Sequence, residues 1–379
     1  MKQHPTRREF VQSIGAAAAA AATGALGSEA PAQEPATMDE ALFVRPEELT
    51  LRFRQEPGAR ALAFARFDGT PEAWREACRA KRRELLGLTT GTVGETRLLR
   101  SLDHEGVRIE AWVMQVSDRL TIPAYLLKPQ GRGRWQGAVM AIHGHGNAEP
   151  CIGAGDDYHH MFALRLAQAG HLVLCPELRG FGALANLAAG DEGYCLDYWA
   201  WDRGPQFTLV TDGFLYGRTL VGETVGDLLR WEQWLADRQG EAEVDAAGIS
   251  YGGDLALTYP VFSDRVRRIY ASGSFGSFSV IFSRCYNAPA HCVPGVLQWM
   301  DRSDIAGLNA PRPIRLHYGE LDKPGPDNNS ASYNETVEPA LAELRAIYRA
   351  FGAEDQVTLR VTPNRGHEFE MQDLIALLA

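Results

Sequence analysis

Beyond its N-terminal region the chain lacks any stretch of about 18 uncharged apolar residues, the length a membrane-spanning helix requires. It lacks a surplus of positive charge: 38 Lys and Arg stand against 48 Asp and Glu, a net charge of −10. That balance argues against nucleic acid or an anionic membrane as a partner, and against strongly anionic polymers as substrates. Its six cysteines include no C-x-x-C pair, so zinc and redox motifs find no support. No cysteine precedes Cys78, which leaves no acceptor for an N-terminal lipid anchor. There is no internal repeat, which excludes solenoid and propeller architectures. What remains is a chain of 379 residues, 45% hydrophobic and 23% charged, long enough for one large α/β domain with an N-terminal appendage.

The appendage has its own grammar. Thr6-Arg7-Arg8-Glu9-Phe10-Val11 is followed by an alanine-heavy, weakly apolar stretch from Ile14 to Leu26, and Ala30-Pro31-Ala32 offers small residues for cleavage before Gln33. Residues 1–32 are therefore expected to be a twin-arginine signal peptide. Export through the Tat machinery would then place a folded enzyme in the periplasm or outside the cell. Residues 33–94 are expected to form a polar linker followed by a helix over Pro71 to Leu86, with Pro71 in the first turn and Gly87 as the stop. The remaining residues, 95–379, are expected to form the catalytic domain.

Glu95 to Leu127 contains alternating runs broken at Asp103-His104-Glu105-Gly106 and at Ser117-Asp118, which read as antiparallel strands. Strands and helices alternate thereafter, the pattern of a mostly parallel sheet. Two segments interrupt it. Ala183 to Arg218 holds Tyr194, Tyr198, Trp199, Trp201, Phe207, Phe214 and Tyr216; Gly276 to Ile305 holds Phe278, Phe282, Tyr286, His291 and Trp299. Long insertions at one sheet edge often wall a site, and one or two of these aromatics are expected to line the pocket. Cys175 ends an apolar run and should be a buried thiol, while Cys285 and Cys292 share one loop and are the pair placed to form a bridge.

The most informative feature is Gly248-Ile249-Ser250-Tyr251-Gly252, a G-x-S-x-G sequence between a short, mostly apolar stretch, Val244 to Ile249, and a helix-compatible run, Asp254 to Tyr259. A strand turning sharply into a helix holds such a serine in a strained conformation with its hydroxyl exposed. A serine nucleophile needs a base, and the base an orienting acid. Downstream of Ser250 there are three histidines. His367 lies on the turn after the alternating run Val357 to Val361 and before the apolar helix Met371 to Leu378, which is where a base belongs. His317 lies within the strand Ile314 to Tyr318 and should be structural. His291 sits in a Cys- and Pro-rich loop, where it could touch substrate but not act as base.

Two carboxylates compete for the acid. Asp322 stands three residues past Gly319 on the loop leaving the strand Pro313 to Tyr318, and Glu320 stands at the strand end itself. Asp322 is preferred, with Glu320 kept open. The developing oxyanion calls for backbone donors, one from Tyr251, the residue after the nucleophile, and one from the loop after an earlier strand. The apolar run Gly137 to Ile142 ends in His143-Gly144-His145-Gly146-Asn147, and the N–H of His145 is the expected second donor. Two histidines at i, i+2 with no third ligand nearby make no metal site, and the chemistry requires no cofactor.

These four stretches, in this order and each at a strand end, resemble the α/β-hydrolase superfamily over roughly Gly94 to Ala379. They look most like the bacterial esterases related to acetyl xylan esterases and dienelactone hydrolases. Pro176-Glu177-Leu178-Arg179-Gly180-Phe181-Gly182 resembles the family's D-x-R-G-x-G turn, with Glu177 in place of Asp. Leu220 to Leu235 resembles the helix before the elbow, and Asp304-Ile305-Ala306 with Ala310-Pro311-Arg312-Pro313 the lead-in to the acid strand. The resemblance implies a carboxylic-ester hydrolase with Ser250, Asp322 and His367 as its triad, acting on a small-molecule or carbohydrate ester such as an acetylated sugar. Dienelactone hydrolases use cysteine where this chain has serine, so their lactonase chemistry is not implied. Two other readings stand beside it. A prolyl-oligopeptidase-like peptidase would be expected to carry an N-terminal propeller, which is absent. A binding protein on a degenerate hydrolase fold should have lost a triad position, and none is lost.

Overall fold

The computed structural model of the chain describes residues 60–131, 134–185, 205–240, 242–278, 289–322 and 336–378. The expected signal peptide, Cys195, Cys285 and the aromatics Tyr194, Tyr198, Trp199, Trp201, Phe282 and Tyr286 lie outside these, as does the side chain of Phe207.

The strands among the described residues are β1 (Thr96–His104), β2 (Val107–Ser117), β3 (Leu120–Pro129), β4 (Ala138–Ile142), β5 (Leu172–Pro176), β6 (Val244–Ile249), β7 (Val266–Ser272), β8 (Ile314–Gly319) and β9 (Val357–Thr362). They form one sheet in the order β1-β2-β3-β5-β4-β6-β7-β8-β9. The first three pair antiparallel, as their short turns require, and β3 pairs antiparallel with β5. From β5 to β9 every pairing is parallel.

The burial patterns follow from this topology. Strand β2 buries Val107 and Ile109 on one face and Trp112 and Met114 on the other. Strands β4, β5 and β6 are buried at every position, which is why β4 and β5 read as continuous apolar runs; β6 is apolar but for Asp245, which pairs with Arg267 and Arg268. Successive side chains of β4 still point to opposite faces. Ala138, Met140 and Ile142 join one core cluster, and Val139 and Ala141 join the other.

Helices α1 (Pro71–Leu86), α4 (Leu220–Gln239), α5 (Tyr251–Thr258) and α7 (Val337–Ala350) bury their apolar stripes in the first cluster, while α2 (Phe162–Ala169) and α8 (Met371–Leu378) close the second. Further helices are α3 (Pro205–Leu215) and α6 (Arg302–Gly307), with a single helical turn at Val296–Trp299. Helix α1 begins with the Thr70 side chain accepting from the N–H of Ala73 and stops at Gly87, φ 58°. A Cβ at Gly87 would lie 2.2 Å from the carbonyl oxygen of Gly217, so the stop also depends on close backbone approach. Its Trp74, Cys78 and Leu86 belong to the same core as the central strands. Among the described residues no helix is long and apolar enough to cross a membrane.

Of the described insertion aromatics, Phe278 is fully buried, Phe214 and Trp299 pack against the core, and Tyr216 is exposed. Cys175 is a buried thiol in β5, as expected.

Because β4, β6, β7, β8 and β9 are mutually parallel, the segments leaving them meet at one edge of the sheet. This is where ligands bind in open α/β folds.

Candidate active site

Ser250 leaves β6 at φ 58°, ψ −123° and is followed at once by α5. A non-glycine residue there is strained, and such strain persists only where the surroundings fix it. Here the Ser250 N–H donates to the carbonyl of Ser272 at 2.9 Å, and the Ser250 carbonyl accepts from Asp254 N–H at 3.1 Å. The flanking glycines are required by space. A Cβ at Gly248 would lie 2.2 Å from the carbonyl oxygen of Gly252, and one at Gly252 would lie 2.1 Å from that of Ile142.

His367 stands on the loop after β9. Its Nδ1 lies 2.9 Å from Oδ2 of Asp322, a buried carboxylate on the turn after β8. Backbone bonds zip the two loops together, from Glu320 N–H to Thr362 (2.9 Å) and from Leu321 N–H to Arg365 (2.7 Å). Glu320 is exposed and accepts from Asn364 N–H at 3.0 Å, so of the two candidate acids it is Asp322 that meets the imidazole. Gly273, φ 59°, lies beside this pair. A Cβ there would fall 2.7 Å from Cε1 of His367 and 3.2 Å from Oδ2 of Asp322. Since Gly273 follows Ser272, the strand that holds Ser250 by its backbone also floors the imidazole.

The loop after β4 approaches Ser250 from the other side, where a Cβ at Gly144 would sit 3.0 Å from Cβ of Ser250. Tyr251 is the first residue of α5, so its N–H has no intrahelical partner. The His145 ring packs edge-on to Phe181 (5.2 Å) and stacked on His291 (5.8 Å). Burial, reinforced by the His291 and His367 imidazoles, lowers its pKa to about 3 and keeps the ring neutral.

His291 is buried rather than presented to a ligand. Its Nδ1 lies 2.8 Å from Oδ2 of Asp254, whose Oδ1 accepts from Arg302 at 2.7 Å. Burial opposes the Asp254 carboxylate, but Arg302 and His291 outweigh it and hold the carboxyl at about 2. His317 bridges strands, with Nδ1 2.8 Å from Oγ of Ser272 and Nε2 2.9 Å from Oγ1 of Thr362. Glu177 is buried and accepts from Ala148 N–H at 3.2 Å, and Arg179 forks onto Asp227 at 2.6 and 2.9 Å.

The structure thus brings Ser250, Tyr251, His145, Asp322 and His367 to one sheet edge. It also brings there residues that sequence reasoning passed over. Gly273 follows β7, a strand that carries no motif. Tyr158 and His159 lie in Asp156-Asp157-Tyr158-His159-His160, a run dense in titratable groups but matching no pattern. The Tyr158 hydroxyl donates to the carbonyl of His145 at 2.7 Å, and Nε2 of His159 accepts from Gly144 N–H at 2.8 Å.

No protein-family model matches the chain. It is 24% identical over 309 residues to "Putative hydrolase YtaP" of Bacillus subtilis (strain 168), an alignment covering 77% of this chain and 94% of that protein. Among solved structures it is similar to a putative acetyl xylan esterase of Bacteroides fragilis NCTC 9343, with a TM-score of 0.64, 16% identity, and coverage of 86% of this chain and 84% of that one. It is also similar to a glucuronoyl esterase from Solibacter usitatus, with a TM-score of 0.60, 12% identity, and coverage of 85% and 96%. These likenesses, with the mixed sheet and its flanking helices, establish the α/β-hydrolase fold.

Proposed function

We propose that this chain is a serine carboxylic-ester hydrolase that works through an acyl-enzyme. The observation that carries the reading is the conjunction at one sheet edge of a strained Ser250 at φ 58° with a His367–Asp322 pair at 2.9 Å. Together the two features fit a nucleophile and its base. A positive-φ serine between two glycines strains the fold, and an imidazole donating from Nδ1 to a buried carboxylate leaves Nε2 as a base.

In the proposed reaction His367 Nε2 takes the hydroxyl proton as Ser250 Oγ attacks the ester carbonyl. The C–O bond to the alcohol breaks, and the alcohol leaves with that proton. Water then adds to the acyl-serine with His367 again as base, releasing the acid and restoring Ser250. The N–H groups of Tyr251 and His145 hold the oxyanion at each tetrahedral stage. The named relatives, a hydrolase and two carbohydrate esterases, favour a small-molecule or carbohydrate ester, with acetylated sugars as the first class to assay. Arg7 and Arg8, ahead of a weakly apolar stretch, favour twin-arginine export and action in the periplasm or outside the cell.

A fluorophosphonate should modify Ser250 and abolish hydrolysis of p-nitrophenyl acetate, and Ser250→Ala should lose on the order of 10⁶ in turnover. Labelling at another serine, or activity that persists in Ser250→Ala, would overturn the assignment.

A further inference from the structure

Between β4 and α2 the backbone does something its sequence does not ask for. His160 and Met161 take φ values of 51° and 53°, two successive side-chain-bearing residues in the left-handed region. Each such residue costs about 1–2 kcal/mol, and the surroundings must over-determine the conformation. The contacts that do so run in two directions.

Towards the oxyanion side, three consecutive peptide units are held by side chains. The Gly144 N–H donates to Nε2 of His159 at 2.8 Å. The Gly144 carbonyl lies 2.7 Å from Nδ1 of His143. The His145 carbonyl accepts from the Tyr158 hydroxyl at 2.7 Å. The middle unit carries the His145 N–H, and because the peptide is planar and trans, that N–H points opposite to the Gly144 carbonyl and so away from His143. Towards the base side, the Tyr158 carbonyl accepts from Phe369 N–H at 2.9 Å, and Nε2 of His160 lies 2.6 Å from Oε2 of Glu368. The Tyr158 ring lies 5.4 Å from that of His367, tilted by 30°.

We infer that Tyr158 and His159 are positioning residues that hold the oxyanion loop at a fixed distance and orientation relative to His367. The inference rests on the esterase reading, and it assigns these residues no contact with substrate. The chemistry of His159 suits the task. An Nε2 that accepts from Gly144 carries no proton, so the ring proton is on Nδ1, which donates to Oδ1 of Asp157 at 2.7 Å. Asp157 thus fixes the tautomer of His159 as an acid orients a triad histidine. Burial lowers the His159 pKa, against the pull of Asp157, and favours the neutral ring that this role needs.

The test compares Tyr158→Phe, His159→Phe and His159→Gln in the full chain. Phenylalanine at 159 keeps the volume and removes the acceptor, whereas glutamine restores one. Misplacing a catalytic group by about 1 Å costs on the order of 10²-fold. His159→Phe should therefore lose about 10² in kcat on p-nitrophenyl acetate with KM within about threefold, and affinity for an arylboronic acid, which mimics the tetrahedral adduct, should fall in step. Tyr158→Phe should lose roughly tenfold in the same pattern, and His159→Gln should recover much of the loss. Wild-type kcat and boronate affinity in His159→Phe would overturn the inference, as would a glutamine variant no better than phenylalanine with both equally depressed in Tm. Should His159→Phe not fold, Tyr158→Phe decides by the same readouts. Imidazole ¹⁵N NMR separates this inference from the reading it rests on. If the wild type cleaves no ester, the esterase reading falls, while an Nε2–H tautomer at His159 would overturn the clamp by itself.

Discussion

Gly273 offers a direct probe of how tightly the base is held. An alanine there meets two penalties. The first is conformational: at φ 59° an L-residue pays about 1–2 kcal/mol that glycine does not. The second is steric. The new methyl would sit 2.7 Å from Cε1 and 2.9 Å from Nδ1 of His367, where ordinary contact begins near 3.4 Å, and 3.2 Å from Oδ2 of Asp322. Backbone is hard to move at this point, because the Gly273 N–H donates to His317 at 2.8 Å and the preceding Ser272 carbonyl holds the Ser250 N–H. The imidazole, on a loop and partly exposed, is the part that yields. It must retreat by roughly half an ångström or more, which disturbs the 2.9 Å contact of Nδ1 with Asp322 and with it the placement of the base.

On this reasoning Gly273→Ala should lower kcat/KM for p-nitrophenyl acetate by about 10²-fold, the usual effect of misplacing a catalytic group. The melting temperature should fall by only a few degrees, as expected for about 1–2 kcal/mol in a domain of this size. The assay pairs steady-state kinetics with thermal unfolding, and includes the change in an Asp322→Ala background. If its effect runs through the His367–Asp322 pair, Gly273→Ala should cost far less once Asp322 is gone. An alanine variant that keeps wild-type kcat within about threefold, or a loss that adds in full to that of Asp322→Ala, would refute the argument.

Three further outcomes follow from particular contacts. Asp322→Asn should lose several powers of ten in turnover by favouring the wrong His367 tautomer, whereas Glu320→Gln should change little, since the exposed Glu320 carboxylate accepts from the Asn364 N–H and it is Asp322 that meets the imidazole; the reverse ranking would move the acid role to Glu320. Glu232 is buried against Ser263, and burial raises its pKa to about 7, so the folded state holds a proton that the unfolded state releases above about pH 4.5. Stability should therefore fall from about pH 4.5 to 7, and the Tm advantage of Glu232→Gln should grow from nothing near pH 4.5 to its full value above pH 7; a constant gap in Tm across that range would contradict this. Replacing Arg7 and Arg8 by lysine should leave an active precursor in the cytoplasm, with mature periplasmic protein of the wild type beginning near Gln33; export that survives the change would overturn the leader reading.

The features legible in the sequence share a physical trait, which is that a short stretch of chain determines them. Strand β4 announces itself because burial on both faces demands an unbroken apolar run, and β6 nearly does, its one charge being Asp245. Helix α1 begins at Pro71 and ends at Leu86, and α8 spans Met371–Leu378, because a proline, a glycine and an apolar stripe set their limits locally. The elbow is legible for the same reason, since its two glycines answer to clashes within a few residues of Ser250. Even the Asp322–His367 pairing could be anticipated, because each residue ends a strand and parallel strands deliver their ends to one edge.

What stayed hidden depends on several chain segments at once. Strand β7, Val266–Ser272, carries Arg267 and Arg268, which forms ion pairs with Asp245; only its place between β6 and β8 makes it a central strand. Helix α7 has apolar spacing but no neighbouring motif to draw attention to it. The Asp254–His291 contact joins the first turn of α5 to a short helical turn, Pro289–His291, far along the chain, and Asp254, two residues past the elbow glycine, reads from sequence as an ordinary first-turn carboxylate. The Tyr158–His160 segment is the extreme case. Its role needs Gly144 on one side and Phe369 on the other, partners more than 200 residues apart in sequence. Its local signature, two successive left-handed residues at His160 and Met161, appears only in backbone angles, because neither is the glycine that advertises that conformation. Motifs therefore disclose the groups that would do the chemistry, while the groups that hold them in place become visible only once the strands have brought distant loops together.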